Sequence, residues 1–173
     1  MRWMWIDRVV ELVPGQKLVA IKHVSLAEEH LHDHFPASAT LPALPIMPAS
    51  LIIEGMAQTA GILVGHAENF AEKVVLAKVS KAELNAEARP GDTLRYTAII
   101  DKIDPMGAST KGIVELLSPM PAVAPQTIGA IDLMFSHLDK NMSGLEFPEH
   151  NFVFSESFRT LLRGSGIAMP SSH

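Results

Sequence analysis

His34, Glu54 and Gln58 form the most chemically suggestive set of side chains in this sequence. His34 stands in His34-Phe35-Pro36, just ahead of the proline-rich run that ends in Pro45-Ile46-Met47-Pro48. Glu54 and Gln58 lie one helical turn apart in Leu51-Ile52-Ile53-Glu54-Gly55-Met56-Ala57-Gln58, an otherwise apolar segment. A carboxyl group among apolar side chains is costly without a partner or a task, and burial favours its neutral, proton-donating form. Imidazole titrates near neutrality and can accept a proton. An acid in an apolar helix together with a histidine outside it points to proton-transfer chemistry.

These residues need a scaffold, and the sequence supplies the elements of one. Val9 to Val13 and Lys17 to Val24 are β-rich runs joined by Pro14-Gly15, so they predict a hairpin. Glu28 to His34 is polar without sustained periodicity, and the prolines from Pro36 to Pro48 exclude a regular helix or a central strand, so this stretch reads as a loop. From Ala49 or Ser50 to about His66 the chain is helical and apolar nearly all round, as a helix wrapped by protein must be. Glu54, Gln58, Gly61 and Gly65 share one face of it, and the two glycines leave a surface that another group can approach closely. Val74 to Leu84, Thr93 to Ile103, Ser109 to Leu117 and Thr127 to Leu138 read as four further strands, with Ser118 to Gln126 as a loop. Leu94, Tyr96, Ala98 and Ile100 alternate with Arg95, Thr97 and Ile99, the pattern of a half-buried pleat. Six strands and one apolar helix predict an α+β fold in which an antiparallel sheet curls around a long central helix.

Bulk properties narrow the function. At 173 residues with 47% hydrophobic content, one core is the economical reading. A formal net charge of −5 without a Lys/Arg run argues against nucleic-acid binding. The absence of cysteine removes disulfides, thiolate nucleophiles and cysteine metal sites, and a reducing compartment is permitted. The apolar opening Trp3-Met4-Trp5-Ile6 is interrupted by Asp7-Arg8 before it could form a secretion signal. Leu51 to Val64 is shorter than the roughly 20 residues that span a bilayer, so no membrane insertion is expected. His30, His32 and His34 would project to one side of an extended segment, as metal ligands might, but an exposed polar loop is the simpler reading. Lys78, Lys81, Arg89 and Arg95 could greet an acidic partner or form a solvated face.

The combination of Trp3-Met4-Trp5-Ile6-Asp7-Arg8-Val9, His34-Phe35-Pro36, Pro45-Ile46-Met47-Pro48, Ala60-Gly61-Ile62-Leu63, Ala77-Lys78-Val79-Ser80-Lys81-Ala82, Arg89-Pro90-Gly91-Asp92 and Leu133-Met134-Phe135 resembles the β-hydroxyacyl-acyl carrier protein dehydratases of the FabZ type. The resemblance implies the hot-dog fold over residues 1–138. Residues 139–173 fall outside it, and their Phe147, Phe152, Phe154 and Phe158 predict a C-terminal extension that packs on the domain, with its end from Met169 to His173 frayed. The resemblance also implies a cytoplasmic homodimer, assembled further into a hexamer in some relatives, whose shared sites take His34 from one subunit and Glu54 from the other. His34 would remove the proton beside the thioester carbonyl and Glu54 would protonate the departing hydroxyl, leaving a trans-2-enoyl thioester. Gln58, Phe35, Met47 and the helix start at Ala49 and Ser50 would contact the acyl carrier protein-linked substrate, with no cofactor and no metal. The backbone N–H groups at that helix start, about Ala49 to Leu51, point outward from the positive end of a dipole and suit a developing oxyanion.

Three departures from the family pattern cluster at the site. Residues 37–42 form an insertion of about six residues, which predicts either a longer lid or an obstruction. Ala49 and Asp33 each replace a family glycine. The alternative readings are a hot-dog thioesterase, in which the same carboxyl-bearing helix directs water to the carbonyl, and a catalytically silent acyl-binding or partner subunit, which the insertion and Ala49 make plausible.

Overall fold

Strands with one apolar face must cover that face, and a helix apolar all round must be covered on most sides; each meets the need of the other. The computed structural model describes residues 3–118, 123–138, 148 and 151–168. Six antiparallel strands, β1 (Arg8–Val13), β2 (Lys17–His23), β3 (Val74–Leu84), β4 (Thr93–Asp104), β5 (Gly107–Leu117) and β6 (Gln126–His137), form one sheet in the order β1-β2-β4-β5-β6-β3. Among the described residues the helices are α1 (Glu29–His32), α2 (Ala49–Ala67) and α3 (Glu156–Gly164). The inner face of the sheet wraps α2, which touches β2, β3, β4, β5 and β6. Leu94, Tyr96 and Ala98 of β4, Val114 of β5, and Ile131 and Leu133 of β6 are buried with Met56, Ala60, Ile62, Leu63 and Val64 of α2 in one core.

Pro14 and Gly15 make the first turn as expected: Gly15 has φ +67, and the Gln16 N–H donates to the Val13 carbonyl at 3.0 Å. The segment expected as featureless loop holds the single turn α1, whose Leu31 is buried. A helix changes the histidine geometry, because residues two apart point to different sides of it. His30 packs edge-on against Trp5 at 5.1 Å between ring centroids while His32 is exposed, so the three histidines do not share a face.

The two sheet edges differ. On β1 the Val9 N–H donates to Ser165 Oγ at 3.0 Å, so the segment after α3 covers part of that edge. On β3, residues 76–83 are exposed and the pairing with β6 shifts register twice, between Leu76 and Lys78 and between Val79 and Lys81. The C-terminal segment is anchored at its start as well: Asn151 Nδ2 donates to the carbonyls of Phe70 and Glu72, both at 2.9 Å. Phe154 lies edge-on against Phe70 at 4.9 Å, and Leu162 is buried. The expected packing of Phe147 and fraying of Met169 to His173 lie outside the described residues.

Close approach of α2 to the sheet depends on Gly55. A Cβ there would stand 2.6 Å from Tyr96 Cζ and Oη and 2.9 Å from the Trp5 carbonyl oxygen, so both a buried ring and a backbone would have to move. Gly55→Ala should therefore destabilise the fold by about 1–3 kcal/mol, read as a lowered midpoint in denaturant unfolding.

Candidate active site

α2 begins at Ala49 with Pro48 as its N-cap residue, and no side chain caps it. The Leu51 and Ile52 N–H groups already donate to the Pro48 carbonyl, at 2.9 and 3.3 Å. Of the expected donors, Leu51 is thus committed within the helix, and Ala49 and Ser50, both exposed, carry the N–H groups that precede the first intrahelical bond.

One turn further on, the polar pair is organised by Gln58, which is only 6% exposed. Its Oε1 accepts the Trp5 N–H at 2.8 Å, and its Nε2 donates to the Trp3 carbonyl and to Glu54 Oε1, each at 3.0 Å. These partners fix which way the amide points, since an N–H must face its oxygen and a carbonyl must face its nitrogen. Gln58 spends both N–H bonds on the protein and so holds Glu54 in place. Glu54 is half-buried rather than sealed in the core, and borders a cavity of about 260 Å³. Gly61, Ile62, Leu76 and Phe135 line its walls, so the group beside the carboxyl is an apolar slot of the kind that takes hydrocarbon.

His34 follows α1 and is partly buried; its Nδ1 lies 2.8 Å from the Leu31 carbonyl oxygen. A carbonyl only accepts, so Nδ1 carries the hydrogen of the neutral ring and Nε2 keeps its lone pair. His34 does not line the cavity beside Glu54 of the same chain. Phe35 is 77% exposed, and the Leu44 N–H returns to its carbonyl at 2.9 Å. Within that closure the Ser38 N–H donates to the Leu41 carbonyl at 2.8 Å, and Ser38 Oγ accepts the Leu41 N–H at 3.0 Å. The insertion is thereby a self-bonded turn that does not enter the Glu54 cavity of its own chain. Met47 is buried, donates its N–H to the Ala88 carbonyl at 2.8 Å, and with Ala49 lines a separate cavity of about 290 Å³ against Leu84 to Glu87.

The fold therefore joins Glu54 to Gln58 and Met47 to Ala49, and places His34 with Phe35 apart from both cavities. Three of the four cations considered for partner docking are engaged within the chain. Arg95 forms a two-point pair with Glu115 at 2.8 Å that raises the guanidinium pKa, Arg89 pairs with Glu87 at 2.7 Å, and Lys81 with Glu83 at 3.0 Å. From sequence, a glutamine in an apolar helix reads as satisfying a buried backbone group, but that this backbone belongs to Trp3 and Trp5 does not follow, and Phe135, Phe154 and Phe158 were missed as cavity walls. The glycine face of α2 was the available signal for the latter.

Residues 2–115 match the family model of the FabA-like domain. The chain belongs to the FabA-like family. It is 35% identical over 123 residues to the 3-hydroxyacyl-[acyl-carrier-protein] dehydratase FabZ of Thermoanaerobacter sp. (strain X514), covering 70% of this chain and 82% of that protein. Against the protein of the same name from Pediococcus pentosaceus the identity is 40% over 106 residues, covering 60% of this chain and 67% of that one. Among solved structures, the dehydratase heterocomplex ApeI:P from Xenorhabdus doucetiae superposes with a TM-score of 0.59 at 15% identity over 78% of this chain and 83% of that chain. An acyl-CoA hydrolase variant from Staphylococcus aureus superposes with a TM-score of 0.54 at 15% identity over 87% and 88%. These similarities and the sheet wrapped around α2 are those of the hot-dog fold, the α+β architecture expected from the sequence. Among the described residues, no helix is long and apolar enough to cross a membrane.

Because Gln58 holds the buried Trp5 N–H, Gln58→Leu should cost about 1–3 kcal/mol in denaturant unfolding for that group alone. Glu54→Gln, which leaves those backbone bonds in place and keeps an oxygen to accept from Gln58, should cost at most about 1 kcal/mol in the same measurement.

Proposed function

We propose that this FabA-like chain is a hydro-lyase that dehydrates β-hydroxyacyl thioesters carried on acyl carrier protein to trans-2-enoyl thioesters, in fatty-acid or related acyl-chain synthesis. The observation that carries the reading is the Glu54 carboxyl, held by Gln58 at the edge of an apolar slot, in a chain whose relatives at 35–40% identity are 3-hydroxyacyl-[acyl-carrier-protein] dehydratases. His34 Nε2 takes the proton from the carbon next to the thioester carbonyl. Negative charge develops on the thioester oxygen, where the Ala49 and Ser50 N–H groups and the positive helix end stabilise it. Gln58 donates to Glu54 Oε1, so Oε2 is left to carry the proton that goes to the β-hydroxyl. The C–O bond breaks, the carbon–carbon double bond forms, and water departs. His34 then holds one proton more and Glu54 one fewer, and exchange with solvent resets both.

One chain does not assemble this set, and the topology suggests how two would. The Glu54 cavity is bordered by Val74, Val75 and Leu76 at the start of β3, whereas the Met47–Ala49 cavity is bordered by Leu84 just at its end. Antiparallel pairing of the exposed β3 edge with its copy about a twofold axis lays the start of one strand beside the end of the other. Each Glu54 would then face the helix start and His34 loop of the partner subunit, in a cytoplasmic homodimer whose further association would give a hexamer. Phe35 and the 37–42 turn, exposed in the single chain, would cover the shared site as a lid.

Hydration of a crotonyl thioester tests the reading in the reverse direction. His34→Ala and Glu54→Gln should each lower kcat by about 10²–10⁴-fold. Rates unchanged by both substitutions would remove the mechanism, and release of free thiol without hydration would assign a thioesterase instead.

A further inference from the structure

The slot beside Glu54 has a wall that the family match does not include. The match ends at residue 115, yet Val153, Phe154 and Phe158 of the C-terminal segment line the same cavity as Glu54 and Gln58. We infer that this segment sets the length of acyl chain the enzyme accepts, with Phe154 and Phe158 forming the blind end of the slot. The inference rests on the dehydratase reading, because it takes the slot to hold the acyl chain of that substrate.

The placement follows from the glycine face of α2. Glu54, Gln58 and Gly61 line the slot in succession along the helix, and Gly65 is next on the same face. A Cβ on Gly65 would press into Phe154, 2.9 Å from Cε2 and closer to Cζ, so the bare backbone is what seats the ring. From Glu54 to Gly65 the helix rises about 16 Å, at about 1.5 Å per residue, so Phe154 stands near the far end of the stripe. Phe158 backs it, with ring centroids 6.1 Å apart and planes near perpendicular. A chain that enters past Glu54 and runs along Gly61 meets this pair.

The wall is also fixed in position, which a length gauge requires. Phe154 is buried and packs on Phe70, a residue in the left-handed region at φ +56 whose N–H donates to the Gly65 carbonyl at 2.6 Å. Asn151 ties the segment to the carbonyls of Phe70 and Glu72, and Ser165 ties its other end to β1. Hydrocarbon pockets discriminate by about 10–200-fold per methylene at their limit, so removing one ring should move that limit visibly.

The test compares trans-2-enoyl thioesters of four, eight and twelve carbons in the hydration assay, with saturated acyl-pantetheines of the same lengths measured by calorimetry. Phe158→Ala should raise the twelve-to-four-carbon ratio of kcat/KM by at least about tenfold, with a parallel shift in binding. Phe154→Leu, a milder change at the buried position, should move the ratio the same way. Phe152→Ala, on the same segment but outside the cavity lining, should leave it unmoved. Ratios unchanged in both Phe158→Ala and Phe154→Leu would overturn the inference. A wild-type protein that hydrates none of the thioesters would overturn the dehydratase reading, while the binding series would still decide whether the segment gauges chain length.

Discussion

Three hydrogen bonds on the Gln58 amide are the constraint on which the site depends. An amide inside a helix that is apolar on nearly every side costs free energy unless its oxygen and both its N–H bonds find partners. Here they find the backbone of Trp3 and Trp5 and the carboxyl of Glu54. The same three contacts lay the N-terminal segment across α2, satisfy that segment's own peptide groups, and aim Glu54 at the slot. Stability and chemistry are coupled in one side chain, and the coupling is tight because the groups are shielded from water.

Around that node the sheet does two jobs. Its inner face encloses α2, and the contact is close enough that Gly55 must lack a side chain where Tyr96 and the Trp5 carbonyl approach. Its two edges have different fates. Ser165 from the C-terminal segment takes a β1 N–H, while most of β3 lies exposed with cavities bordering its beginning and its end. An unpaired edge is normally blunted or used. The proposed use, pairing with a second copy, is also what would complete a site that a single chain leaves in halves.

Much of this architecture was legible in the sequence because period-2 and all-round apolar patterns are strong signals over ten or more residues. β4, with Leu94, Tyr96 and Ala98 inward, and α2 from Ala49 are the clearest instances. α1 was not legible, since one turn of helix has no period to detect, and that turn is what separates the directions of His30 and His32. Glu54 and Gln58 could be singled out by their apolar surroundings, but the Gln58 partners lie more than fifty residues away in sequence and leave no local trace. The bare stripe at Gly61 and Gly65 announced a close neighbour without naming it; the structure supplies Phe135 at the first and Phe154 at the second. The 37–42 insertion leaves both lid and obstruction open in the sequence; its internal hydrogen bonds fold it as a turn outside the Glu54 cavity of its own chain.

In the proposed assembly, one reaction site draws its base and its acid from two copies of the chain. Subunit complementation tests it most directly: His34→Ala and Glu54→Gln proteins, each inactive alone, are unfolded together, refolded as a mixture and assayed for thioester hydration. Random pairing gives mixed dimers in which one of two sites is intact, so activity should return to roughly a quarter of wild type. A mixture that assembles into mixed dimers yet stays as inactive as its parents would contradict the account.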